Sequence, residues 1–152
     1  MAKCKELRSY VAKDSFVWLE GGEDWDSRYV GKWMLFVGCA DAQRVWETIC
    51  SSGFQAAKIS AQEKPGDPHV ICVYTRDFRD VDDVDAVATK LAKTFGLSEA
   101  IFYKPDAFTY EYLSGSIFGL RKGRVFATKK LQLLPKKDRD AIERALKMRA
   151  QP

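Results

Sequence analysis

The run Val70-Ile-Cys-Val-Tyr-Thr75 constrains this chain more than any other stretch. Every residue in it is apolar, β-branched or aromatic, and none is Pro or Gly. Such a run reads as a strand buried on both faces or nearly so. The turn cluster Lys64-Pro-Gly-Asp-Pro68 sets its start. Ionisable residues stand at both ends: His69, the only histidine of the chain, before the run, and Arg76 and Asp77 after it. A rigid central strand with titratable groups at its mouths is a suitable place to build a site.

The rest of the chain is organised around that strand. Phe16-Val-Trp-Leu19 is a short strand candidate, and residues 20–27 form an acidic, glycine-containing loop. Trp25 within that loop either covers the core or offers a stacking platform to a ligand ring. Lys32 to Val37 is a second strand. Asp41 is expected to cap a helix to about Ser51, with Val45, Trp46, Ile49 and Cys50 on one face and Gly53 as the stop. Phe54 to Ser60 alternates weakly and reads as a strand.

Asp80 or Asp82 opens a second helix with an acidic first turn. Its apolar stripe is Val81, Val84, Val87, Ala88, Leu91, Ala92 and Phe95, and Gly96 ends it. Ala100 to Lys104 is a strand halted by Pro105, and residues 105–112 read as a long aromatic-rich connection. Phe118 to Leu120 and Arg124 to Thr128 flank the turn Arg121-Lys-Gly123. Pro135 starts a terminal helix to about Arg149. Strands outnumber helices, and there are no repeats or linkers. The expectation is a single domain over residues 1–152, with a basic helical tail at 132–152. Its fold class is α+β: a curved, mostly antiparallel sheet with helices packed on one face.

Charge bears on partners. The net charge is only +4, but from Ser116 onward eleven Lys and Arg face three acids, Asp138, Asp140 and Glu143. Such a block attracts phosphates, nucleic acid or an acidic protein partner, or is simply a solvated basic surface. No apolar run approaches the roughly 20 residues of a membrane helix, and the first residues lack a signal-peptide core. A cytoplasmic protein without a membrane partner is the default expectation. The cysteines, Cys4, Cys39, Cys50 and Cys72, form no CxxC pair and have no neighbouring His, so no metal is expected. Cys50 and Cys72 read as small core hydrophobes, and a disulfide is disfavoured in a cytosolic chain. No Walker-type loop, GxGxxG, nucleophile elbow or HExxH is present, and no cofactor is expected.

Three blocks carry a resemblance to a known family. They are Gly31-Lys-Trp-Met-Leu-Phe36 with Val45-Trp46, His69 to Thr75 with Asp77-Phe78, and Tyr103-Lys-Pro-Asp106 with Thr109-Tyr110. Together, over about residues 30 to 125, they resemble the Bles-type proteins, a family sometimes labelled a phosphothreonine lyase domain. The resemblance implies a fold similar to the messenger-RNA cap-binding translation initiation factor. The lyase label implies removal of phosphate from phosphothreonine by β-elimination.

Three functions are weighed on the residues. Binding of a phosphate-bearing ligand, a nucleotide or RNA, needs cations beside aromatic rings; Lys58, Arg76, Arg121 and Arg124 with Trp25 and Tyr110 are the candidates, in a cleft that also takes in His69 and Lys104. Elimination needs a base, an acid and a phosphate clamp; Lys104 would be the base and His69 the acid. A protein-interaction domain would instead use the basic tail, with Asp106 bonding nearby backbone in a turn. Binding ranks first because it requires no tuned proton transfer.

Overall fold

The computed structural model describes residues 16–19, 25–60, 66–111 and 113–150. Along the chain lie β1 (Phe16–Leu19), β2 (Gly31–Val37), α1 (Cys39–Ser51), β3 (Ala57–Ser60), β4 (His69–Thr75), α2 (Val81–Phe95), β5 (Ile101–Pro105), α3 (Asp106–Tyr110), β6 (Phe118–Arg121), β7 (Arg124–Ala127), a 3-10 turn (Lys129–Leu133) and α4 (Lys136–Ala150). The class is α+β. The pairs β1–β3, β3–β4, β5–β6 and β6–β7 all run antiparallel. None of the helices among the described residues is long and apolar enough to cross a membrane.

The chain divides into two compact units. The first holds β1 and Met34–Tyr74, and the second holds residues 25–33 and 75–150. β2 contributes Gly31 to Trp33 to the second and Met34 onward to the first.

In the first unit the strand order is β1-β3-β4-β2. Every residue of β4 except Val70 is buried, as its unbroken apolar run requires. His69 lies within this strand rather than ahead of it. Ala42, Val45, Trp46 and Ile49 form the buried stripe of α1, which packs on β3. Two expectations fail in this helix. Gly38, not Asp41, is the N-cap, and Asp41 sits in the first turn, where its charge still suits the helix dipole. Cys50 is exposed, because it stands roughly 100° around the axis from Ile49, past the edge of the stripe. β3 begins only at Ala57, with Phe54 buried ahead of it, so the alternation counted from Phe54 is broken. Cys39 is disulfide-bonded, against the expectation from composition, and its partner lies outside the described residues.

In the second unit the order is β2-β5-β6-β7. The carboxylate of Asp80 accepts from the backbone N–H of Asp83 and caps α2. Gly96 ends that helix in the left-handed region at φ 59°. Val81, Val84, Ala88 and Leu91 of α2 are buried, and Trp33 Nε1 donates to the Val84 carbonyl at 3.0 Å. The aromatic connection after β5 is a helix, α3, rather than a loop. Extended Pro105 leads into it, and burying Phe108 stabilises the turn. Leu131 on the 3-10 segment, Leu134 just after it and Ile142 of α4 complete this core. Arg149 near the end of α4 pairs with Asp82 and Asp85 of α2.

Candidate functional site

The registers of β5, β6 and β7 decide which side chains share a face of the second unit. Tyr103 stands opposite Phe118, and Ile101 opposite Leu120. These residues are buried, and they face the same way as Trp33, whose ring meets Tyr103 edge-on at 5.3 Å. This is the side on which Trp33 reaches α2. The Tyr103 hydroxyl lies 2.6 Å from Thr75 Oγ1, and burial drives its phenol far above the ordinary tyrosine pKa. Gly31 is required there: a Cβ would come within 2.1 Å of the Tyr103 oxygen.

Side chains alternate along a strand, so the neighbours of these residues point to the opposite face. Phe102, Gly119 and Phe126 form one row across β5, β6 and β7. Phe102 is 41% exposed and Phe126 is half-buried. The far edge of the Phe126 ring occupies the space a Cβ on Gly119 would take, 2.3 Å from its tip. Lys104, half-buried, lies two residues along β5 on the same face. Two residues along in the other direction, Arg121 and Arg124 stand directly opposite each other, both exposed. The Arg121 guanidinium sits 5.9 Å from the Phe126 ring centre. Lys122 and Gly123 make the turn with φ values of 51° and 76°, the left-handed pair that a two-residue hairpin of right-twisted strands needs. No acid occurs in β5, β6 or β7. The result is a row of rings flanked on both sides by cations.

Lys32 and Asp106 form a buried ion pair at the margin of this unit. Lys32 Nζ donates to Asp106 Oδ1 at 2.8 Å and to Thr109 Oγ1 at 3.3 Å, with the two charged side chains only 8% and 17% exposed. The carboxylate therefore ties α3 to β2 rather than bonding nearby backbone in a turn. A second cluster lies among residues 26–29 and 77–79. The Arg79 guanidinium is stacked 3.4 Å from the Tyr29 ring centre and bonds Asp77 at 2.7 Å. That bond raises the Arg79 pKa, and the Arg28 side chain lowers the pKa of Asp26 to about 2.

The sequence candidates distribute as follows. Lys104, Arg121 and Arg124 are brought to one sheet face. Tyr110 ends α3 and is 73% exposed. Arg76 is exposed just past β4, and Trp25 is half-buried in its loop. Lys58 and His69 belong to the first unit. Lys58 is half-buried on β3 opposite Cys72. His69 is buried, and its Nδ1 donates to the Ser60 carbonyl at 2.8 Å. The carbonyl can only accept, so Nδ1 carries a proton. Nε2 has no partner among the described residues. Arg124 also borders a cavity of about 550 Å³ lined by Asp85, Leu146 and Arg149. Asp85 there is paired with Arg149.

Sequence reasoning missed Phe102, Phe126 and Gly119, which make the ring row, and Lys32. A signal existed for the first two. Alternation against buried Tyr103 and Leu120 assigns Phe102 and Phe126 to the outer face, where a large apolar ring lacks a packing reason. Lys32 opens an otherwise apolar strand, but its partner lies 74 positions away.

Residues 27–112 match the family model of the basophilic leukemia-expressed protein Bles03, more than half of the chain, and the chain belongs to that family.

Proposed function

We propose that this member of the Bles03 family binds a phosphate-bearing ligand, a nucleotide or RNA, on the outer face of β5, β6 and β7. The observation that carries this reading is the shared face of Phe102 and Phe126 with Lys104, Arg121 and Arg124, without an acid in those strands. Planar bases stack on exposed rings, each contact contributing about 1–3 kcal/mol. Guanidinium and ammonium groups hold phosphate oxygens through charge-assisted bonds of about 1.5–3 kcal/mol each. A like-charged pair directly across a hairpin costs stability, which a bound anion offsets. Binding without turnover fits best, because no group on this face pairs with a second one suited to proton transfer.

The family resemblance brings further expectations into the same proposal. A fold similar to the cap-binding initiation factor accords with a sheet face used for a nucleotide, and a cytoplasmic setting accords with an RNA ligand. Phosphothreonine elimination, which the lyase label implies, is the second reading, and no observation favours it over binding.

The test is a titration with nucleotides, short RNAs and phosphothreonine peptides, followed by fluorescence or calorimetry. The expected result is micromolar or tighter binding of a nucleotide-bearing ligand that weakens as salt rises. No affinity below millimolar in the whole set refutes the reading. A phosphothreonine peptide that loses phosphate by mass spectrometry, in a manner sensitive to Lys104→Ala, replaces it with the lyase.

A further inference from the structure

β7 is the last strand of its sheet, and the hydrogen-bond parity of its hairpin fixes which backbone groups are left over. In an antiparallel pair, directly opposed residues alternate between exchanging both backbone bonds and exchanging none. The two-residue turn makes Arg121 and Arg124 a bonded pair. The Thr128 N–H donates to the Ile117 carbonyl at 2.9 Å, which keeps the same parity beyond the end of β7. Val125 and Ala127 fall between the bonded positions, so their N–H and C=O groups point away from β6, to the open edge. No backbone hydrogen bond reaches those edge groups from elsewhere among the described residues. Arg124 and Ala127 are exposed. Beside this edge lies the cavity of about 550 Å³, to which Val125, Leu146 and Ala150 give an apolar wall.

We infer that the β7 edge accepts an extended peptide of a partner protein in which acidic and apolar residues alternate. The peptide joins as an antiparallel strand, as β6 joins β5 and β7, and its backbone bonds Val125 and Ala127. A row of alternating donors and acceptors is complementary to another polypeptide backbone, whereas a nucleic-acid backbone offers no such row. Register then assigns the side chains. A peptide residue opposite Val125 exchanges backbone bonds with it and shares its face. Its side chain stands at the cavity, where Val125, Leu146 and Ala150 favour an apolar group and Asp85 disfavours an acid. The residues on either side of it point to the other face, beside Arg121 and Arg124. Charge selects the partner. Between Arg121 and Lys130 stand Arg121, Lys122, Arg124, Lys129 and Lys130, all exposed, and no acid. A second copy of β7 would set these cations against themselves, which is how an edge strand is protected from self-pairing. An acidic strand meets them with opposite charge. The inference does not rest on the nucleotide reading, because the edge groups are backbone and the ring row plays no part in the ladder.

The experiment uses the full chain and the fluorescein-labelled heptapeptide Glu-Val-Glu-Leu-Glu-Val-Glu. Micromolar binding is expected, weakened at least tenfold when every Glu is replaced by Lys. Two N-methylated forms of the peptide test the ladder. Methylation of the Val and Leu nitrogens, whose N–H groups face β7, is expected to weaken binding at least tenfold. Methylation of the Glu nitrogens, which face away, is expected to change it less than threefold. Amide hydrogen exchange at Val125 and Ala127 should slow at least tenfold in the complex. Val125→Pro removes one edge N–H, which an edge strand tolerates, and is expected to weaken the peptide at least tenfold, with a thermal melt to check the fold. No peptide affinity below millimolar overturns the inference and leaves nucleotide binding untouched. Equal sensitivity to the two methylation patterns means that charge alone holds the peptide, and the added strand is wrong. A dimer in sedimentation that Val125→Pro dissociates means that a second copy occupies the edge, which also overturns it.

Discussion

Arg121 and Arg124 stand directly opposite each other across the tip of the β6–β7 hairpin, with Lys122 in the turn between them. Opposed like charges destabilise a strand pair, so this tip is not optimised for folding. Arg121→Glu converts the pair to opposite charges. It should leave stability unchanged or raise it by about 0.2–1 kcal/mol. The same variant should weaken single-stranded RNA binding at least tenfold and lower the dependence of log K on log salt by about one or two. Chemical denaturation and anisotropy titrations read the two effects. A variant that loses stability while binding normally contradicts the assignment of the tip to ligand.

Asp106 neutralises a lysine that is almost fully buried. Asp106→Ala should cost about 3–5 kcal/mol, because it removes the counter-charge from a buried ion pair and leaves its partner desolvated. The double variant Lys32→Met with Asp106→Leu should recover most of that loss, since the charge and its counter-charge leave together. Urea unfolding of the three proteins tests this; equal destabilisation by the single and double changes contradicts it.

Tyr103 links folding to alkaline pH. Its phenol is raised far above the ordinary value of 10.0 by burial, with the Thr75 hydroxyl bond acting in the opposite sense. The folded state therefore holds this proton more tightly than the unfolded state does. The contribution is fully present below about pH 10 and is lost as the pH rises beyond it, when unfolding releases a phenolate. Tyr103→Phe removes that dependence. The stability gap between Tyr103→Phe and the parent should thus move in favour of the variant from pH 8 to pH 11, as read by unfolding curves at each pH. A constant gap would mean the phenol is not the group responsible.

Two glycines that both lack room for a Cβ should respond differently. Gly31→Ala drives a methyl into Tyr103, which is fully buried and cannot retreat. A cost of about 1–3 kcal/mol or more is expected from overpacking. Gly119→Ala meets Phe126, which is half-exposed and can swing aside. Its stability should change by less than about 1 kcal/mol, while oligouridylate binding falls with the displaced ring. Thermal melts and titrations of the pair distinguish a structural glycine from one that shapes the ligand face.

Much of the architecture was legible because it rests on local patterns. The apolar run of β4, the acidic opening and the Val, Ala and Leu stripe of α2, the Arg121-Lys-Gly123 turn and the terminal helix each depend on residues within a few positions of one another. The misjudged places are those where a local rule competes with a contact from elsewhere. α3 forms because Phe108 is buried and Lys32 holds Asp106, neither of which its own composition shows. Cys50 lies at the edge of a stripe whose limit is set by what packs against it.

For the site, the sequence supplied the cations and their placement at strand ends: Lys104, Arg121 and Arg124 need only the strand boundaries to be found. What the tertiary structure alone decided is which side chains share a face. Registers such as Phe102 against Gly119 and Gly119 against Phe126 join residues on three strands, and a slip of one position would turn every ring to the other side. Periodicity assigns a residue to one of two faces of its own strand. Only the pairing of strands says whose face that is, because hydrogen bonds between strands carry information that no single strand contains.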